Sequence, residues 1–289
     1  MTTESFEYAR PTSIDRALEL VAAHPDAAVL AAGQSLLPSL RQGDSGPAAV
    51  IDIGALEAMR GIECADGAAD VGALTTYATV HKHPELREYV GALTESIGKS
   101  ADTQVRNAAT IGGNLVTPYP VSDLSAAAVA SDATLVARSR DGKRHIDAET
   151  ALTSPRAGLA GDELLTRITV PLCEQSVGSV YCKQPSPTSR YTLIGVAAHV
   201  AVENRTVAAA GVAATGVYDH VVRLKSVESA LIGEDVDDIV VSDLASRADS
   251  DLDPSRFVEN SEASVSYRAH LVQIQTNQAL DQSLEQATE

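Results

Sequence analysis

The feature that most restricts this chain is a pair of glycine-bearing segments far apart in the sequence, each just after an apolar run. The first is Ala31-Ala32-Gly33-Gln34-Ser35-Leu36-Leu37-Pro38. The second is Ala109-Thr110-Ile111-Gly112-Gly113-Asn114-Leu115, with Asp123 a short way beyond. Glycines lack a Cβ, so the backbone there can approach something bulky. Both segments set backbone N–H groups beside a short hydroxyl, Ser35 or Thr110, a combination suited to a pyrophosphate. On composition alone the double glycine reads equally well as a tight turn, and it has neither Rossmann nor P-loop spacing. Two such loops in one chain predict one extended ligand gripped from two sides. Asp123 reads as a cap for the helix that follows it, as an acceptor for sugar hydroxyls, or as both.

Charge narrows the choice of ligand. The net charge is −17, with 39 acidic against 22 basic residues. Such a chain repels phosphate backbones and anionic membranes, so neither nucleic acid nor membrane insertion is expected. Five lysines against seventeen arginines fit either a cytoplasm of high salt, which screens acidic repulsion, or a GC-rich genome. Cys64, Cys173 and Cys182 show no Cys-x-x-Cys spacing, so no iron–sulfur cluster is expected within the chain. A reduced, cytoplasmic setting fits them. The N-terminus lacks the basic and apolar regions of a signal peptide. His81 and His83 form a His-x-His pair with no further ligands at a suggestive spacing, so no metal is expected.

Three units are predicted: 1–55, 56–175 and 176–289. Ser13 caps an amphipathic helix ended by Pro25, and strands at 27–31 and 48–53 complete a small α/β unit. The second unit starts with a hairpin turning at 65–67. It continues with helices at 77–81 and 85–98, the double-glycine loop, a helix at 124–131, and strands at 133–139 and, weakly, 164–171. The third holds strands at 191–203 and 206–214 joined at Asn204-Arg205, a helix at 226–232, an acidic solvated stretch at 234–253, and a final helix at 264–284.

These segments resemble the FAD-binding medium subunits of the molybdenum hydroxylases, the family of aerobic carbon monoxide dehydrogenase and xanthine dehydrogenase. The family pattern Ala-Gly-Gly-x-Ser-Leu-hydrophobic-Pro corresponds to residues 31–38, with Ala32 in place of the first Gly. Thr-Ile-Gly-Gly-Asn is present unchanged at Thr110, Ile111, Gly112, Gly113 and Asn114, and the family's Asp follows as Asp123. Val71-Gly72-Ala73-Leu74-Thr75-Thr76, Glu163-Leu164-Leu165, Tyr181-x-Lys183 with Tyr191, and Val265-Ser266-Tyr267-Arg268 extend the likeness over nearly the whole chain. Arg190 stands where some relatives have Asp.

The resemblance implies an α/β (α+β) architecture. Two N-terminal subdomains would hold FAD between them, followed by a C-terminal α/β domain. It implies that Ala31, Ala32, Gly33, Gln34 and Ser35, with residues 110–114, hold the pyrophosphate through backbone N–H groups, and that Asp123 binds sugar hydroxyls. Leu165 and Lys183 would contact the isoalloxazine, Lys183 stabilising negative charge on the reduced ring, with Tyr191 beside it. The implied function is electron transfer within a complex: from a [2Fe–2S] small subunit beside a molybdopterin-containing large subunit, through FAD, to quinone, NAD or oxygen. Two other readings are a stand-alone FAD-dependent reductase of the same fold type and a non-catalytic ligand-binding module that kept the fold.

Overall fold

The computed structural model describes residues 6–42, 46–117, 122–172, 176–189, 191–258 and 262–289; Cys173 and Arg190 lie outside these. Three sheets follow one another along the chain. In the first, β1 (Glu7–Ala9), β2 (Ala28–Leu30) and β3 (Ala49–Asp52) are parallel in the order β1-β3-β2. Helices α1 (Ile14–Ala23) and α2 (Leu36–Gln42) connect them. The Ser13 hydroxyl accepts the Arg16 amide at 3.2 Å and caps α1, whose Ala17, Leu18 and Val21 form one buried face.

The second sheet is antiparallel. It contains β4 (Ile62–Ala65), β5 (Ala68–Gly72), β6 (Thr134–Arg138), β7 (Lys143–Asp147) and β8 (Leu164–Pro171), in the order β4-β5-β8-β6-β7. Asp66 and Gly67 between β4 and β5 both have positive φ, the backbone a two-residue hairpin needs. Inserted between β5 and β6 are α3 (Tyr77–Lys82), α4 (Pro84–Tyr89), α5 (Gly91–Lys99), α6 (Thr103–Ala108), α7 (Ile111–Leu115) and α8 (Asp123–Ala130). The short α9 (Ala148–Leu152) follows β7.

One expectation is corrected here, and two elements had no counterpart in the sequence reading. The helix expected at 85–98 is two helices, because Val90 is fully buried in a non-helical conformation, φ −135° and ψ 50°. The new N-terminus this creates is capped from outside: the Ser179 hydroxyl accepts the Ala92 amide at 3.1 Å. Helix α6 was not anticipated. Strand β7 was not anticipated either, because only Ile146 of its five residues is buried and an alternating pattern is hardly visible.

Glu163, just before β8, is 7% exposed. It receives both Arg144 Nε and Nη2 at 2.7 Å and the Ala160 amide at 2.7 Å. The Arg144 hydrogen bonds hold its carboxyl below the usual glutamate value, against the opposing effect of burial. A depressed folded-state value means the stabilisation is present above the unfolded value of about pH 4.3 and is lost as pH falls through the folded one. Glu163→Gln is therefore expected to cost about 1–3 kcal/mol at pH 7. The gap from the parent chain should close as urea unfolding is repeated below about pH 4; an unchanged gap would contradict this account.

The third sheet, also antiparallel, runs β12-β11-β10-β9, from β9 (Ser176–Pro185), β10 (Thr192–Glu203), β11 (Thr206–Thr215) and β12 (Val222–Arg223). Helices α10 (Lys225–Leu231), α11 (Val241–Ser246) and the long α12 (Val265–Thr288) complete the chain. Strand alternation gives the sheet two faces. Val180, Cys182, Val196 and Ala198 pack in a core with Leu271, Val272 and Leu280 of α12. Tyr181, Ala197 and Ala213, which stand in register across three strands, belong to the core of the first two sheets. Helix α8 lies against that second face, on β10 and β11. Its sequence Asp-Leu-Ser-Ala-Ala-Ala-Val-Ala is buried at every position but Ser125, and alanines permit the close approach. The junction therefore brings the N-terminus of α8 to the ends of β9 and β10. No helix among the described residues is long and apolar enough to cross a membrane.

Candidate functional site

The double-glycine segment, expected as a loop, is the one-turn helix α7. Thr110 is its N-cap, and its hydroxyl accepts the Gly113 amide at 3.3 Å. The Ile111 and Gly112 amides donate to the carbonyls of Thr75 and Ala73 at 3.0 and 2.8 Å, and that of Asn114 to Thr110 at 3.1 Å. These four N–H groups each have an acceptor within the chain. The glycines serve close approach. A Cβ on Gly112 would stand 2.5 Å from Ala73 Cβ and 2.8 Å from its carbonyl oxygen. One on Gly113 would stand 3.6 Å from Ala31 Cβ, so the two sequence-distant segments are neighbours.

In the first segment, none of the amides of Ala32, Gly33, Gln34 and Ser35 donates to a partner among the described residues. Gly33 has φ +74°, the left-handed region that glycine enters without penalty. Ala32 is not among the residues with positive φ, so its methyl group is carried without backbone strain. Arg60 braces the site from behind, donating to the Gly54 carbonyl at 2.6 Å and the Leu74 carbonyl at 2.9 Å. It thereby ties the support of the first segment to the strand end that seats α7.

Asn114 links this region to Asp123. Its Oδ1 accepts the Ser122 hydroxyl at 2.5 Å, and Ser122, not Asp123, is the N-cap of α8. That corrects the capping role expected of Asp123. The Asp123 carboxylate, 7% exposed, instead collects four donors. Tyr181 and Thr192 hydroxyls bond Oδ1; Ser100 Oγ and Lys183 Nζ bond Oδ2 at 2.7 and 3.1 Å. The Ser100 proton is shared, since its Oγ also stands 2.6 Å from the Ser96 carbonyl. Burial and the Asp123 charge push the Tyr181 phenol well above its ordinary value, so it stays a proton donor. Tyr77, buried nearby, is pushed up for the same two reasons.

Lys183 is not a surface lysine: its side chain is 9% exposed, and it also donates to Thr192 Oγ1 at 3.2 Å. Tyr191, one residue before Thr192, is 57% exposed. Arg268 explains part of the C-terminal pattern. It is 2% exposed and donates to the Leu193 and Gly216 carbonyls at 2.8 Å, which anchors the start of β10. Leu165 is in the core at 6% exposure. The carbonyl of the next residue, Thr166, accepts the Ala73 amide at 3.0 Å.

Contacts thus run from Ala31 through α7 to Asp123 and Lys183, and Tyr191 precedes Thr192, which shares that carboxylate. Sequence reading missed Ser100, Thr192 and Arg60. No spacing marks them, since each acts through a partner on another element. Tyr181 appeared only as part of a pattern, although a tyrosine two residues before a lysine on one strand shares its face.

Residues 4–173 match the family model for the FAD binding domain in molybdopterin dehydrogenase. Residues 179–283 match that for the CO dehydrogenase flavoprotein C-terminal domain. The chain belongs to this family of flavoproteins. FAD is its cofactor, it is an oxidoreductase flavoprotein subunit, and the expected fold type holds. It is 29% identical to caffeine dehydrogenase subunit beta of a Pseudomonas species, over 97% of this chain and 95% of that one. It is 30% identical to the carbon monoxide dehydrogenase medium chain of Hydrogenophaga pseudoflava, over 81% and 82%. A solved carbon monoxide dehydrogenase from the same organism superimposes with a TM-score of 0.92 at 26% identity, covering 99% of both chains.

Proposed function

We propose that this flavoprotein is the electron-carrying medium subunit of a cytoplasmic molybdenum hydroxylase complex. It would work between a [2Fe–2S] small subunit, beside a molybdopterin-containing large subunit, and a final acceptor: quinone, NAD or oxygen. FAD supplies the redox chemistry when bound, and the protein contributes binding, orientation and electrostatics. The observation that carries the reading is the contrast between the two glycine segments. The amides of Ala32–Ser35 have no acceptor among the described residues, while Gly113, beside Ala31, has no side chain. In this reading those four amides and the Asn114 side chain hold the diphosphate, and Ala31 and the residues of α7 from Thr110 to Gly113 form the wall behind it. Lys183 holds positive charge at the isoalloxazine end, with Leu165 packing below and Tyr191 at the open edge. Asp123 acts through Lys183, fixing the ammonium in place.

Two measurements test this. The chain isolated from its own cells is expected to be yellow and to bring molybdenum and iron with it; a flavin-loaded chain without either metal would favour a stand-alone reductase. Lys183→Met should keep FAD while the flavin midpoint potential falls by at least about 30 mV, equivalent to about 1.4 kcal/mol for a two-electron couple. Removing the ammonium leaves Asp123 facing the reduced ring uncompensated. An unchanged potential would remove Lys183 from the flavin's surroundings.

A further inference from the structure

We propose that Cys64, His83 and Glu85 form a binding site for one divalent cation of the zinc class, separate from the flavin site. Cys64 is on β4, the edge strand of the five-stranded sheet. His83 stands at the corner where α3 ends and α4 begins, and Glu85 is in the first turn of α4. One ligand atom from each, a thiol sulfur, an imidazole nitrogen and a carboxylate oxygen, lies within 4.8 Å of the other two. Separations of this size need only small side-chain adjustments to meet around one ion.

A second observation points the same way. The His83 Nδ1 atom is buried and has no hydrogen-bond partner, and the side chain makes no capping bond at the helix it precedes. The ring places Nδ1 and Nε2 on different edges, and one of them would serve as the ligand. Nε2 stands 3.9 Å from Glu85 Oε2, too far for a hydrogen bond and compatible with an ion between them. His81, by contrast, is spoken for: its Nδ1 bonds the Thr94 carbonyl at 2.8 Å. The His-x-His pair is thus divided between a structural histidine and a ligand candidate, which Cys64 joins from a distant part of the sequence.

The donor set selects the ion. A thiolate with an imidazole suits zinc and its neighbours and disfavours magnesium and calcium, which take oxygen ligands. Three protein ligands leave a fourth position for water. The bound ion would fasten the edge strand to the helical corner. Helix α3, which ends at His83, is entered through the connection from β5 whose Ala73 and Thr75 carbonyls receive α7, so the fastening bears on the frame of the glycine helix.

The test uses the full flavin-loaded chain, stripped of metal and titrated with zinc and, as a spectroscopic probe, cobalt. One equivalent should bind, with a sulfur-to-cobalt charge-transfer band and a zinc absorption edge showing one sulfur at about 2.3 Å and lighter ligands at about 2.0–2.2 Å. Cys64→Ser and His83→Asn should each lower zinc affinity at least about 100-fold, since even outer-shell partners are worth about 10–100-fold. Flavin content serves as the folding control. Zinc affinity unchanged in both variants, or a bound metal with no sulfur in its shell, would overturn the proposal.

Discussion

Asp123→Ala is expected to lose about 3–5 kcal/mol of stability, because it breaks a buried ion pair and leaves its cation behind. Lys183 is nine-tenths buried beside this carboxylate and cannot recover bulk water without moving β9. The hydroxyls of Tyr181 and Thr192 lose their acceptor in the same step, while Ser100 keeps the Ser96 carbonyl. Asn is a poor substitute, because its NH2 group would face hydroxyls and an ammonium that were all donating to oxygen. The four donors come from α5's end, β9 and β10, so the damage falls on the junction between the C-terminal sheet and the rest of the chain. Urea unfolding should show a lower midpoint, with flavin lost before the main transition. A variant with parental stability and full flavin would mean that the carboxylate is not the centre of this network.

Gly112→Val should lose flavin even where the chain still folds. The obstacle is not backbone conformation, since Gly112 is not among the residues with positive φ. It is contact: the first added atom would meet Ala73 Cβ, carbonyl oxygen and Cα at 2.5, 2.8 and 2.9 Å. Two of these are backbone atoms and cannot swing aside, so α7 or the end of β5 must shift, at about 1–3 kcal/mol or more. A shifted α7 no longer presents Gly113 to Ala31. Gly113→Ala is the informative comparison, because its Cβ would meet the Thr110 hydroxyl at 2.7 Å but otherwise only Ala31 at an ordinary contact distance. It should keep the fold and weaken FAD. The ratio of flavin to protein absorbance, read with the thermal midpoint, separates the two. Full flavin in Gly112→Val would show that α7 is not part of the cradle.

Legibility followed the range of the forces involved. Helix α1 was readable because its cap and its apolar spacing are local, and the Asn204-Arg205 and Asp66-Gly67 hairpins because their left-handed residues are local too. The break at Val90 was not readable. It depends on Ser179, which caps α5 from the next sheet. Strand β7 was silent because an edge strand with one buried residue has almost no hydrophobic period. At the site, the glycine segments and Lys183 stood out by type and pattern. Ser100 and Thr192 are ordinary residues whose only distinction is the carboxylate they share.

What the chain's order of residues determined by itself is therefore the inventory: two glycine segments, a carboxylate, one lysine among few, and the family to which that set belongs. The tertiary structure decided how each is used. It turned the double-glycine loop into a capped helix whose amides have acceptors within the chain, and left the amides of the Gly33 segment without a partner among the described residues. It also drew Asp123 inward to hold Lys183. The reason is physical: hydrogen-bonding capacity is finite, and which partner takes it up depends on strands and helices that meet only when the chain has folded.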